Sequence, residues 1–115
     1  MQIQPIVGLE GLWTIEIPER AAGGIAVIAN GQIHGGDNEF YFTGTYTSSN
    51  DEVEADVSMH RFRGNSPAFM GPPNGGRFVV IGRVDAARTV IEIWHPYGGP
   101  LMVVMKQRFA FGRVG

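Results

Sequence analysis

The stretch EVEADVSMH, at residues 52–60, has the strictest alternation of apolar and polar residues in this chain. Val53, Ala55, Val57 and Met59 fall on one side, and the residues between them are charged or polar. Because successive side chains of a β-strand point to opposite faces, this period of two predicts a strand with one buried and one solvated face. A pattern of this kind is typical of antiparallel sheets.

The same period recurs along the chain between glycine-rich turns. Residues 40–47 (FYFTGTYT) alternate in the same way, and Asn30-Gly31 is a pair favoured in two-residue hairpin turns. Further strands are predicted at residues 12–17, 24–29, 32–34, 78–84, 89–94 and 102–111. We therefore predict one all-β domain spanning residues 1–115, with about eight antiparallel strands. Closure into an up-and-down, lipocalin-like barrel is expected because it removes exposed strand edges.

Composition narrows the class of protein. The 115-residue chain has no cysteine, which excludes disulfides, thiolate metal sites and a thiol nucleophile. Its net charge is −2, whereas nucleic-acid binders usually carry a basic patch or stripe. The apolar run at residues 101–105 falls far short of the roughly 20 residues that a membrane helix needs, and no signal peptide is apparent. We expect a soluble, cytoplasmic protein that binds neither nucleic acid nor membrane.

Charge is unevenly distributed along the chain. Residues 1–57 hold nine acidic residues against one arginine, and residues 58–115 hold eight basic residues against two acids. Carboxylates crowded on one strand face either steer a basic partner in a salt-dependent way or only form a solvated surface. We predict that the densest acidic group binds a protein partner. This group comprises Asp51, Glu52, Glu54 and Asp56.

A Gly-Gly-Asp run, formed by Gly35, Gly36 and Asp37, separates two apolar stretches. A phosphate-binding loop would need a helix start after this run, or the spacing and lysine of a P-loop, but an aromatic strand follows it. We instead predict a structural turn. In it both glycines adopt backbone conformations denied to other residues, and Asp37 accepts hydrogen bonds from nearby backbone amides.

No constellation of residues specifies a reaction. His34, His60 and His95 are scattered and lack the spacing with other ligand types that marks a zinc site. Glu54 and Asp56 lie about 7 Å apart by strand rise, which would allow acid/base chemistry. However, alternating acids on an outward face are usually a solvated surface. We expect no catalytic residue, no metal, no cofactor and no enzymatic activity.

The last two predicted strands are apolar on both faces. One face can fill the barrel, and the other would lie in water unless it is covered. Candidate covers are a second subunit or the loop at residues 63–76, which carries Phe69 and Met70. We predict homodimerisation through these strands. The residues predicted to form the dimer interface are Ile91, Ile93, Val103 and Met105.

Several motifs in residues 9–62 resemble a known family. They are GLW at residues 11–13, NGQI at 30–33, the Gly-Gly-Asp turn, and YFTGTY at 41–46. Together they are similar to the small bacterial proteins of the GrlR-like family, which contains a negative regulator of type III secretion. The resemblance implies an eight-stranded lipocalin-like barrel, usually dimeric and without catalytic activity, that sequesters a transcriptional activator. It also implies that partner binding falls at the acidic turn, where Asp51 and Glu52 stand here.

Two functions are compatible with this sequence. The first is a non-enzymatic regulatory or adaptor protein that binds another protein, such as a transcriptional activator. The alternative is a lipocalin-like carrier of a small apolar ligand, because an eight-stranded barrel is just wide enough to hold one. Bulky residues expected inside, such as Trp13, Phe40 and Phe78, favour a filled barrel. Gly44 and Gly82 would leave room for a ligand.

Overall fold

The computed structural model of the chain describes residues 8–18, 22–68, 71–87, 89–94 and 102–111. These residues form eight β-strands, as the alternation predicted. Among the described residues, no helix is long and apolar enough to cross a lipid bilayer. The strands are β1 (Gly11–Ile17), β2 (Ala22–Ala29), β3 (Gln32–Gly36), β4 (Phe40–Ser49), β5 (Glu52–Arg61), β6 (Gly76–Val84), β7 (Val90–Trp94) and β8 (Met102–Ala110).

The strands close into an antiparallel up-and-down barrel, in which each strand pairs with its neighbours in sequence and β8 returns to β1. The predicted architecture is confirmed. The register shifts at the closing seam, where Leu12 pairs with Phe109 but Trp13 pairs with Gln107. Arg108 is the extra residue of this β-bulge. The bulge places Phe109 on the outer face beside Leu12, where it is exposed.

Alternate residues of each strand fill the barrel. On β1 the buried side chains are Trp13, Ile15 and Ile17, and the residues between them are half-buried. The indole N–H of Trp13 donates a hydrogen bond to the carbonyl oxygen of Leu9 at 2.8 Å, which satisfies a buried donor. Burying one large apolar side chain contributes about 1.5–3 kcal/mol, so this filled interior is the main source of stability.

The hairpin turn between β2 and β3 is the one that its sequence predicted. Asn30 and Gly31 have φ values of 55° and 78°. Both central residues of a type I′ turn need a positive φ, which glycine and asparagine adopt most readily. Because this turn matches the twist of the flanking strands, it sets the register in which Ile28 pairs with Ile33. Both of these side chains are buried.

The faces of the last two strands are the reverse of those predicted. Ile91, Ile93, Val103 and Met105 lie inside the barrel and are at most 5% exposed, which corrects the predicted dimer interface. The reason is the register at the seam, where Met105 pairs with the buried Ile15. Cross-strand partners share a face, so Met105 and its alternates must point inward. The outward residues of these strands include Val90, Glu92, Met102 and Val104.

Candidate functional site

The acidic residues singled out in the sequence lie on the outside of the barrel. Alternate residues of β5 are buried, so Glu52, Glu54 and Asp56 project outward between them. Asp51 is exposed in the turn that precedes the strand. The structure therefore brings all four carboxylates to one end of one outer face. We call Asp51, Glu52, Glu54 and Asp56 the acidic ridge.

Strand β6 places two arginines beside the acidic ridge. Arg77 donates hydrogen bonds to both carboxylate oxygens of Asp56, at 2.9 and 2.7 Å. Arg83 lies 3.8 Å from the carboxylate of Asp51. The hydrogen bonds from Arg77, more than its charge, lower the pKa of Asp56 below its ordinary value. Two of the four carboxylates thus face an arginine of the same chain, Asp56 through two hydrogen bonds and Asp51 through a longer, exposed ion pair.

Glu52 and Glu54 carry the uncompensated charge of the ridge. Among the described residues neither side chain forms an ion pair. Arg83 is the cross-strand neighbour of Glu52, but its guanidinium group pairs with Asp51 instead. Two residues on one strand face lie about 7 Å apart, so the two carboxylates repel each other weakly through water. A basic group from a partner would relieve this repulsion.

Strand β6 also carries apolar surface beside the ridge, which the sequence analysis did not identify. Val79 and Ile81 are 43% and 51% exposed on the outer face. Their cross-strand partners on β5 are Asp56 and Glu54, respectively. We call Val79 and Ile81 the apolar strip. A signal for it was present in the sequence, because the run FVVI at residues 78–81 is apolar on both faces of its strand.

A second exposed cluster lies at the other end of β5. Tyr41 and His60 are cross-strand partners whose rings stack 5.0 Å apart at 26°. Phe62 adds a third ring, 6.4 Å from that of Tyr41. Stacked or tilted rings at these separations stabilise each other by about 0.5–1.5 kcal/mol per pair. These contacts stabilise the cluster, in which Tyr41 and Phe62 remain 47% and 52% exposed.

The Gly-Gly-Asp segment forms a turn that Asp37 holds in place. Its carboxylate oxygen Oδ1 accepts hydrogen bonds from the backbone amides of Glu39 and Phe40, both at 2.8 Å. The amide of Asp37 in turn donates to the carbonyl oxygen of Phe40 at 2.9 Å. This is the role that the sequence suggested for Asp37, and it leaves the carboxylate occupied within the turn.

The two glycines of this segment serve a different purpose from the one predicted. Gly35 and Gly36 belong to β3, and neither has a positive φ, which corrects the predicted special backbone conformation. They are needed because neighbouring strands approach closely. A Cβ atom on Gly35 would overlap the carbonyl oxygen of Ile25 and lie 2.7 Å from the ring of Phe42. On Gly36 it would overlap a backbone carbonyl of β4.

The barrel interior contains an apolar cavity of about 30 Å³. Tyr46 borders it, and burial, followed by the negative charge of Glu10, raises the pKa of its hydroxyl. A cavity that holds benzene measures about 150 Å³, so this one is too small for a lipid-sized ligand. It gives the carrier alternative no support. The other residues lining the cavity are Leu9, Ile28, Ile33, Val53, Ala55, Val80, Gly82, Ile91, Ile93 and Met105.

Possible metal ligands are dispersed over the surface. Within the described part of the chain, no group of three or more His, Asp or Glu side chains could hold a metal ion. His34 lies on β3, 3.3 Å from the side chain of Gln32, and His60 stacks in the aromatic cluster. Glu54 and Asp56 share a face, but Asp56 is bound by its arginine. His95, Phe69 and Met70 lie outside the described residues.

Comparison with known proteins identifies no relative of this chain, so its function is inferred from the fold and the surface. No protein-family model matches the chain, and a search of curated proteins finds no match. The resemblance to the GrlR-like family stays a prediction that rests on the motifs in residues 9–62. What the structure does define is a closed eight-stranded antiparallel barrel with an acidic ridge and an apolar strip on one outer face.

Proposed function

We propose that this chain is a non-enzymatic regulatory or adaptor protein that binds another protein through the acidic ridge. The observation that carries the proposal is that Glu52 and Glu54 project from β5 without an ion pair among the described residues. Exposed charges of one sign speed the encounter with an oppositely charged partner and orient it on docking. The partner is therefore expected to carry basic residues.

The resemblance of residues 9–62 to the GrlR-like family supports a transcriptional activator as the first partner class to test. The same resemblance supports a role in the cytoplasm. The absence of cysteine agrees with this, because disulfides are rare in that reducing compartment and this chain needs none. The position of the ridge agrees with the family pattern, because Asp51 lies in the turn that leads from the aromatic strand β4 into β5.

Affinity capture from extracts of the native cell tests this proposal. The baits are the wild-type protein and the double variant Glu52→Gln with Glu54→Gln. The captured protein is purified, and its affinity for each bait is measured by calorimetry at low and at physiological ionic strength. Because exposed ion pairs contribute about 0.2–1 kcal/mol each, we expect the double variant to bind about two- to thirty-fold more weakly and to depend less on salt.

The matched control is Glu10→Gln with Glu16→Gln, which removes the same charge from the β1 side of the barrel. Glutamine keeps a side-chain oxygen that accepts the hydrogen bonds from Asn30 and Arg108, while the exposed ion pairs of Glu16 with Lys106 and Arg108 are lost. This variant is expected to bind like the wild type. Equal binding by the wild type and both double variants would show that the acidic ridge is not a docking surface.

A further inference from the structure

We infer that the docking segment of the partner is a basic amphipathic α-helix, which packs on the apolar strip with its basic side chains toward Glu52 and Glu54. The inference rests on the proposed function and deepens it by naming the chemistry of the partner. It also makes Val79 and Ile81 the centre of the contact. At 43% and 51% exposure, these side chains have apolar area left to bury.

Closure of the barrel restricts the kind of segment that can dock. Every described strand is hydrogen-bonded to two neighbours, and β6 pairs with β5 from Gly76 to Arg83, so no strand can be inserted between the apolar strip and the acidic ridge. Among the described residues β7 pairs with β6 only at Gly82, Arg83 and Val84. A segment lying over both the strip and the ridge receives no hydrogen bonds from the ladder. It must satisfy its own backbone N–H and C=O groups, and an α-helix does so internally.

The spacing of the apolar strip fits one face of a helix. Val79 and Ile81 are two residues apart on β6, which corresponds to about 6.6–6.8 Å along the strand. Helix residues at positions i and i+4 are separated by about 6 Å along the axis. A helix that runs along β6 can thus place two successive apolar residues over Val79 and Ile81.

The charges around the strip specify the polar face of that helix. Glu54 is the cross-strand partner of Ile81, and neighbouring strands lie about 4.8 Å apart. Lysine or arginine residues on one flank of the apolar seam therefore come within reach of Glu52 and Glu54. Arg77 and Arg83 stand at the two ends of the strip on the same face of β6. Both arginines are paired within the chain, with Asp56 and with Asp51, so basic residues of the helix gain no acidic partner there and are favoured beside Glu52 and Glu54.

A second copy of the chain is the main rival occupant, and the charges disfavour it. Glu52 and Glu92 are the cross-strand neighbours of Arg83 on its two sides. A twofold axis along β6 would therefore bring Glu52 of one copy opposite Glu92 of the other. An axis across the strands would bring one acidic ridge against the other. Either symmetric contact centred on the strip places acids against acids, which a basic helix avoids.

Selection from a displayed library of amphipathic helices tests the inference. The helices are about 18 residues long, because shorter isolated helices are marginal in water. Each carries fixed apolar residues along one face and randomised residues on both sides of that face. The baits are the wild-type protein and Val79→Thr with Ile81→Thr, in which threonine retains a high strand propensity. We expect lysine and arginine to be enriched on one flank. Selected helices should bind the double threonine variant at least about tenfold more weakly.

The matched control is Ile25→Thr, because Ile25 is 54% exposed on β2, across the barrel from β6. It should leave helix binding unchanged. The inference fails if no helix is enriched, if enriched flanks are not basic, or if binding survives Val79→Thr with Ile81→Thr. If binding is lost in Glu52→Gln with Glu54→Gln but not in Val79→Thr with Ile81→Thr, the proposed helix on the apolar strip is wrong, and the proposed function of the acidic ridge still stands. If light scattering shows that the wild-type protein self-associates and that Ile81→Thr abolishes this association, a second copy of the chain is the occupant instead.

Discussion

Arg77 holds Asp56 through two hydrogen bonds on the outer face of adjacent strands, from Nε to Oδ1 at 2.9 Å and from Nη2 to Oδ2 at 2.7 Å. This two-pronged geometry is the strongest form of an arginine–carboxylate contact. Its consequence is that Asp56 contributes little net charge to the acidic ridge. The proposed recognition of a basic partner then depends on Glu52 and Glu54.

The first prediction concerns the protonation of Asp56. Its pKa is lowered in the folded protein, so the pair with Arg77 stabilises the fold above the ordinary pKa of aspartate. That stabilisation is lost as the pH falls from the ordinary value through the lowered one. In Arg77→Gln the pKa of Asp56 should rise toward its ordinary value. A carboxyl-carbon NMR titration of both proteins measures this, and an unchanged pKa would contradict the pairing.

The second prediction tests which face of β8 is buried. Val103 is fully buried and Val104 is half-buried on the outer face, so the same substitution at adjacent residues should have unequal effects. We expect Val103→Ala to lower the free energy of unfolding by about 1–3 kcal/mol, because it leaves a cavity. For Val104→Ala we expect a loss below about 1 kcal/mol. Urea denaturation measures both values, and a larger loss at Val104 would reverse the assigned faces.

The third prediction separates two reasons for a glycine. Gly35 is needed because a Cβ there would overlap a neighbouring strand, whereas a Cβ at Gly31 would meet open space but the residue has a φ of +78°. Gly35→Ala should cost about 2–3 kcal/mol, because the new methyl group must displace backbone. Gly31→Asn should cost less than about 1 kcal/mol, because asparagine tolerates a positive φ. Chemical denaturation compares them, and equal stability of the two variants would count against the close approach at Gly35.

The fourth prediction concerns the turn between β3 and β4. Asp37→Ala leaves the amides of Glu39 and Phe40 without their carboxylate acceptor, and we expect a loss of about 1–2 kcal/mol in the free energy of unfolding. Asp37→Asn retains a side-chain oxygen and should lose less than half as much. Thermal and urea unfolding measure the difference. If alanine and asparagine behave alike, the hydrogen bonds do not stabilise the turn.

Much of this fold is predictable because strands such as β4 and β5 alternate apolar and polar residues with a period of two. The alternation on β5 and the Asn30-Gly31 turn each follow from local chemistry, and the structure contains both. The orientation of β8 is not predictable in this way, because Val103 and Val104 are equally apolar. Their orientation is decided by pairing with β1, a strand that lies almost the whole chain away.

The candidate site shows the same division. The exposed carboxylates on β5 follow from the sequence alone, because polar residues of a half-buried strand face water. The sequence alone does not show which of these carboxylates remain unpaired, because Arg77 reaches Asp56 only through the register of β5 with β6. The apolar strip was missed for a related reason. Phe78 and Gly82 are expected inside the barrel, which leaves Val79 and Ile81 outside, but the position of these two residues beside Asp56 and Glu54 depends on the register of β6 with β5.

The outer face of β5 and β6, and not the barrel interior, is the proposed binding surface for the partner. The most direct test is a backbone-amide NMR titration of the isotope-labelled protein with the partner or a selected helix. We predict that the largest shift changes fall on Glu52, Glu54, Val79 and Ile81. Changes concentrated instead on residues around the interior cavity, such as Ile33, would contradict the claim.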